Sequence, residues 1–351
     1  GTNVSGQNFG NFDKVSISGM KFNDMDGDGT KDAGDLGLSG WKIYLGGSAT
    51  DSTTTDIDGN YQFIGLGPGT YNLSEGVQSG WQQTTTNPSA VTTASGTDVS
   101  GQNFGNFEKV TISGMKFNDV DGDGVKDPED TGLSGWKIYL GGSATDSAMT
   151  DANGNYSFTN LGSGTYTLSE AVQSGWTQTT TNPSVITTSS GMDVSGQNFG
   201  NIELGTISGM KFNDMDGDGV KDAEDTHVSG WKIYIGGGRI DSTMTDANGN
   251  YSFTNLALGS YTISEEVQSG WLQTAPVSGT YSETITGSGT DLTGKDFGNF
   301  DKVSISGMKF NDVDGDGTKD AEDNGLTGWK IYLSGFVTDS ATTDANGNYS
   351  F

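Results

Sequence analysis

Val15-Ser-Ile-Ser-Gly-Met-Lys-Phe-Asn-Asp-Met-Asp-Gly-Asp-Gly-Thr-Lys-Asp-Ala-Gly-Asp35 runs an alternating segment straight into a twelve-residue acidic loop. The alternation over Val15 to Phe22 has the two-residue period of a half-buried β-strand. The loop pattern, Asp-x-Asp-Gly-Asp-Gly-x-x-Asp-x-x-Asp, starts at Asp24 and recurs at Asp119, Asp214 and Asp312, at intervals of 95, 95 and 98 residues. A chain of 351 residues would otherwise allow two or three unrelated domains. The period makes it an array of one module instead. Residues 15–109, 110–204 and 205–302 read as complete repeats, and 303–351 as the first part of a fourth. Residues 1–14 match the last strand of a preceding repeat, so the expectation is a window cut from a longer array.

Working outward through the first repeat, Gly40-Trp-Lys-Ile-Tyr-Leu45 reads as a second strand with Trp41, Ile43 and Leu45 on one face. Ser52 to Thr55 is a Thr-rich strand, and Asp56-Ile-Asp-Gly-Asn60 a turn. Its counterpart Asp151-Ala-Asn-Gly-Asn155 carries the Asn-Gly pair typical of hairpins. Tyr61 to Phe63, Thr70 to Glu75, the segment at Trp81 and Val99 to Phe107 complete about seven short strands. No stretch has helical periodicity, so the module is expected to be an all-β sandwich. Joints are short: Asn106-Phe-Glu-Lys109 leads directly into Val110, with no Gly/Ser or Pro-rich linker, which favours a stiff array over tethered beads. The three extra residues of the third repeat lie between Trp271 and Asn299, where a loop is expected to absorb them.

The loop has the ligand spacing of a calcium loop of the EF-hand type. Asp24, Asp26, Asp28, Thr30, Asp32 and Asp35 occupy positions 1, 3, 5, 7, 9 and 12, with Gly29 at position 6 and a backbone carbonyl offered at 7. The equivalent sets are Asp119, Asp121, Asp123, Val125, Asp127, Asp130; Asp214, Asp216, Asp218, Val220, Asp222, Asp225; and Asp312, Asp314, Asp316, Thr318, Asp320, Asp323. A hard divalent cation needs six or more oxygens, and short Asp side chains in a tight turn supply them from one segment. Asp stands at position 12 where such loops carry Glu, and no helices flank the loop. About one Ca2+ per repeat is the expected cofactor. Five like charges in twelve residues would otherwise repel one another.

Lysine and arginine number 17 against 45 acidic residues, a formal charge of −28. That balance argues against nucleic-acid and anionic-lipid partners and for cations. Cysteine is absent, so no disulfides brace the modules. The recurring aromatics exclude a low-complexity chain. No segment reads as a membrane span. The single His227 replaces a Gly of the other copies, so histidine catalysis and His-rich metal sites are not expected. Trp41 and Trp81 read as core rather than as a sugar platform.

Each complete repeat also carries a Lys in its first strand, a Glu in the second half and an Asn in the last strand. The sets are Lys21, Glu75, Asn106; Lys116, Glu170, Asn201; and Lys211, Glu265, Asn299. Parity puts Lys21 with Ile17, and Met20 with Phe22 on the other face. Both faces cannot be the main core unless the strand is bulged, so the residues alone leave open a surface Lys, a surface Glu and a turn Asn.

Ile17-Ser-Gly-Met-Lys-Phe-Asn-Asp24, Asp35-Leu-Gly-Leu-Ser-Gly-Trp41, Thr55-Asp-Ile-Asp-Gly-Asn-Tyr-Gln-Phe63, Leu66-Gly-Pro-Gly-Thr-Tyr71 and Ser79-Gly-Trp81 together resemble the SdrD B-like repeats of bacterial serine-aspartate adhesins. The resemblance covers essentially the whole chain. It implies a transthyretin-like (prealbumin-like, Cna B-type) sandwich and calcium-stiffened stalk modules of an extracellular, cell-surface protein. In collagen-adhesin B-type relatives a first-strand Lys and a last-strand Asn fuse into an isopeptide bond, helped by a Glu. Phe104-Gly-Asn106 and Tyr71-Asn-Leu-Ser-Glu75 resemble those relatives' motifs. The expected function is a structural rod or filament, partnered by neighbouring repeats and other copies of itself. The competing expectation is an adhesin module recognising glycan or matrix protein. An enzyme is not expected.

Overall fold

The computed structural model describes residues 1–335 and 337–351. Every regular element among them is a strand. The chain forms two units. One comprises Gly1–Leu204 with Thr286–Thr290, the other Gly205–Ile285 with Asp291–Phe351.

In the first unit, repeat one contributes β1 (Val15–Asn23), β2 (Leu36–Gly37), β3 (Lys42–Gly47), β4 (Asp51–Thr54), β5 (Asn60–Leu66), β6 (Gly69–Glu75), β7 (Trp81–Gln83), β8 (Val91–Thr93) and β9 (Phe104–Glu108). One sheet runs β2-β1-β9-β7, with β5 also paired to β1; the other runs β4-β3-β6-β8. The alternating residues Ile43, Leu45, Tyr61, Phe63, Tyr71 and Leu73 meet Val15, Ile17 and Phe104 in the core between the sheets. The first and last strands are parallel neighbours, Lys21 opposite Phe104 and Asn23 opposite Asn106. Repeat two copies the arrangement, beginning with β10 (Val110–Asn118). Phe107, the penultimate residue of β9, is fully buried in the core cluster of repeat two, with Val110, Ile112 and Leu161.

In the second unit, repeat three forms two corresponding sheets, the first enlarged by Asp291–Leu292 running parallel to Gly205–Asn213. Its extra residues lie where a strand, Thr280–Ile285, runs six residues against three in β8. A longer strand, rather than a longer loop, therefore occupies that region. The remaining segment pairs Ser306–Met308 with Asn348–Ser350, Phe310–Asn311 with Asn324–Gly325, and Lys330–Leu333 with Asp339–Thr342.

Two expectations need correction. The repeat has nine strands rather than about seven, because β2 and β8 are too short to show a period. The last strand begins at Phe104, not Val99. Val99 makes only an isolated parallel bridge to Ile17. Beyond it the chain loops outward so that Gln102 O accepts the Tyr61 hydroxyl and Asn103 Oδ1 accepts from Met20 N, at 2.5 and 3.0 Å.

Candidate cation loop and buried lysine site

The acidic loop begins where β1 ends, and Asp24 is the pivot. Its backbone N–H donates to Asn106 O at 2.9 Å, continuing the β1–β9 ladder by one residue. Its carboxylate is fully buried and accepts from Gly27 N and Gly29 N, both at 2.8 Å. Asp26 and Asp28 project from the same turn. One oxygen from each of Asp24, Asp26 and Asp28 lies within 4.8 Å of the others, and the same holds at Asp119/121/123, Asp214/216/218 and Asp312/314/316. Asp35 closes the loop: Oδ1 accepts from Met25 N at 2.9 Å and Oδ2 from Asp32 N at 3.1 Å. Asp32 accepts from Gly34 N at 2.9 Å. Position 12 thus staples the loop ends, and the tightest group is the first three aspartates.

Electrostatics follow from that crowding. Asp26 accepts a backbone hydrogen bond from Asp28, which lowers its pKa. Partial desolvation and the neighbouring Asp28 and Asp24 carboxylates outweigh this and raise it. Burial and the carboxylates of Glu129, Asp130, Asp121 and Asp123 raise Asp127. For Asp214, burial pushes upward, but hydrogen bonds from Thr274, Gly219 and Gly217 prevail and hold it low. A cluster made only of carboxylates, crowded in one turn, suits a hard divalent cation, which would offset its negative charge. The residues fit such an ion: the three clustered aspartates would hold it, and its charge would relieve their repulsion.

The lysines sit in the core. Lys21, Lys116 and Lys211 are each fully buried, as are Asn106, Asn201 and Asn299. Lys21 Nζ lies 2.9 Å from Glu75 Oε2 and 3.4 Å from Phe104 O, under the Trp41 ring at 4.4 Å. Lys116 pairs with Glu170 at 2.8 Å and donates to Asn201 Oδ1; Lys211 pairs with Glu265 at 3.2 Å. Burial lowers each lysine from 10.5 to about 8, with the paired Glu pulling the other way. Burial also raises Glu265, against the pull of Lys211. Both amide atoms of Asn106, with Oε1 of Glu75, are buried without hydrogen-bond partners. Each such group ordinarily costs stability.

The parity conflict resolves in favour of the core. Val15, Ile17 and Lys21 face inward, while Phe22 is buried on the opposite side. There Gly105 leaves the space it needs: a Cβ at residue 105 would lie 2.6 Å from the Phe22 ring. The strand is covered on both faces at that end, which no alternation rule anticipates. Trp41 is buried edge-on to Trp81 at 5.5 Å, a core residue capping the lysine. Sequence reasoning did not single out Trp41 as a partner of Lys21. Its recurrence at Trp136 and Trp231, each over the corresponding lysine, is the signal that could have found it.

Such tandem sandwiches, each carrying an acidic loop beside a buried Lys-Glu-Asn set, define a class of repeat module. Residues 15–113, 110–208 and 205–294 each match the SdrD B-like domain, and the chain belongs to that family. It is similar to the serine-aspartate repeat-containing protein F of Staphylococcus epidermidis, 28% identical over 390 aligned positions, covering 93% of this chain and 22% of the relative. The chain spans 22% to 29% of the length of the curated relatives it matches. Among solved structures, the Bacillus anthracis TIE protein aligns with TM-score 0.38 and 18% identity over 82% of this chain and 51% of that one. The two B repeat units of the Staphylococcus aureus collagen binding protein align with TM-score 0.21 and 14% identity, over 97% of this chain and 88% of that one. No helix among the described residues is long and apolar enough to cross a membrane.

Proposed function

We propose that this chain is a tension-bearing spacer of a cell-surface or extracellular protein, each repeat stiffened by one Ca2+ and crosslinked by a Lys–Asn isopeptide bond. The observation that carries the reading is the enclosed Lys21-Glu75-Asn106 set between the parallel first and last strands. Chain entry through β1 and exit through β9 mean that a pull on the two ends loads their ladder in shear. A bond between the same strands would route tension around the fold.

The chemistry follows from burial. A desolvated lysine is partly neutral and nucleophilic. Its Nζ would attack Asn106 Cγ, forming a C–N bond as the C–Nδ2 bond breaks. Glu75 would relay the proton from Nζ to the departing ammonia. Atoms balance with loss of one ammonia per bond: the partnerless Nδ2 of Asn106 departs and Oδ1 remains as the carbonyl oxygen of the new amide.

Intact mass spectrometry of the full chain is the test. The expected mass is the sequence mass less one ammonia for each of the three complete repeats, and Glu75→Ala should retain one. The unreduced sequence mass would remove the crosslink and leave the calcium reading standing. That reading fails if the melting temperature is the same in calcium and in excess chelator.

A further inference from the structure

Where repeat one meets repeat two inside the first unit, a serine turn bridges them. The tight turn Ser189 to Met192 presents Ser190, which is almost fully buried. Ser190 Oγ donates to Asn23 Oδ1 and accepts from Glu108 N, both at 2.6 Å. Ser190 N donates to Met25 O, and Gly191 N to Glu108 O, each at 3.0 Å. Asn23 precedes the acidic loop and Met25 is its second position, so the turn clasps the loop and the end of β9 together. Gly191 is required there. Its φ is +67°, and a Cβ would lie 2.6 Å from the Glu108 carboxylate. Beside the turn, the Phe107 ring packs into the core of repeat two, while its other edge faces Gly27 of the loop.

The pattern recurs. Thr286–Thr290, also in the first unit, brings Ser288 Oγ to Asn118 Oδ1 at 2.6 Å and to Glu203 N at 2.8 Å. Ser288 N donates to Val120 O and Gly289 N to Glu203 O, both at 2.9 Å. Near the start of the chain, Asp13 N donates to Ser95 Oγ at 2.8 Å, and Gly96 N to Asp13 O at 3.2 Å.

We infer that the rim of the first acidic loop is a recognition surface for the Ser-Gly turn of the following repeat, and that Ser190 is the residue that locks repeat two onto repeat one. The surface consists of the Asn before the loop, the carbonyl at position 2 and the backbone of the acidic residue ending the last strand. The partner it fits is a tight turn whose serine can donate and accept at once, followed by a glycine.

The test is backbone amide exchange on the full chain, comparing wild type with Ser190→Ala at constant calcium. Loss of two side-chain hydrogen bonds predicts about tenfold faster exchange at Glu108, Ser190 and Gly191. Amides of Lys137–Gly142 in the core of repeat two should be unchanged. Equal rates at Glu108 and Gly191 in the two proteins would overturn the inference. Asn23→Ala supplies the second arm. If Asn23 and Ser190 act as a pair, the double variant exchanges no faster than Ser190→Ala; fully additive effects would equally overturn it.

Discussion

At the residue scale the decisive group is a lysine with no exposed surface. Residue types made Lys21, Glu75 and Asn106 legible as a set, but not their approach. Alternation assigns a strand one dry face, and β1 has two at its end because a glycine in β9 makes room for Phe22. The buried amines give a pH signature. In a chain carrying Asn106→Ala, Asn201→Ala and Asn299→Ala no crosslink forms. Each lysine then titrates at about 8 when folded and near 10.5 when unfolded. Between those values the unfolded state binds more protons, so stability rises with pH across that window and is flat with respect to these groups below it. An isopeptide nitrogen does not titrate. Urea midpoints should therefore climb from pH ~8 to ~10 in the variant relative to wild type. Parallel curves would mean that the wild-type lysines are free amines.

The strand and its loop act as one element. Lys21, Asn23 and Asp24 lie within four consecutive positions, and Asp24 N continues the ladder to Asn106. The spacing of the loop was readable because ligand positions are local in sequence. The roles within it were not: Asp35 spends both oxygens on backbone N–H groups, a matter of loop closure rather than spacing. Gly105, opposite Phe22 in the neighbouring strand, leaves no room for a side chain. Gly105→Ala should force the Phe22 ring from its seat and destabilise repeat one by about 1–3 kcal/mol, read from chemical unfolding. Asp24→Asn should weaken calcium binding by at least about tenfold in titration calorimetry, since it removes a charge from the tightest part of the cluster. Unaltered affinity would move the site away from the first three aspartates.

For the molecule as a whole, the period of the sequence announced tandem modules and short joints, whereas the contacts made at the joints were invisible. Ser-Gly pairs are abundant in this chain, and only contact singles out Ser190 and Ser288. Joint and loop share backbone groups, so an emptied loop should loosen the seat of the next repeat. Limited proteolysis in chelator is expected to cut first near Glu108 to Val110, ahead of any cut inside the sandwiches; initial cleavage within the strands would contradict this. At about 100 times its dissociation constant, calcium would stabilise each occupied module by about 2.7 kcal/mol. The lock has one further consequence. Repeat two carries both halves of it, Asn118 as socket and Ser190 as plug. A head-to-tail contact of this kind uses two different surfaces of one module. A module that presents both surfaces can follow another copy of itself, so adding or removing a whole internal repeat leaves no internal surface unmatched.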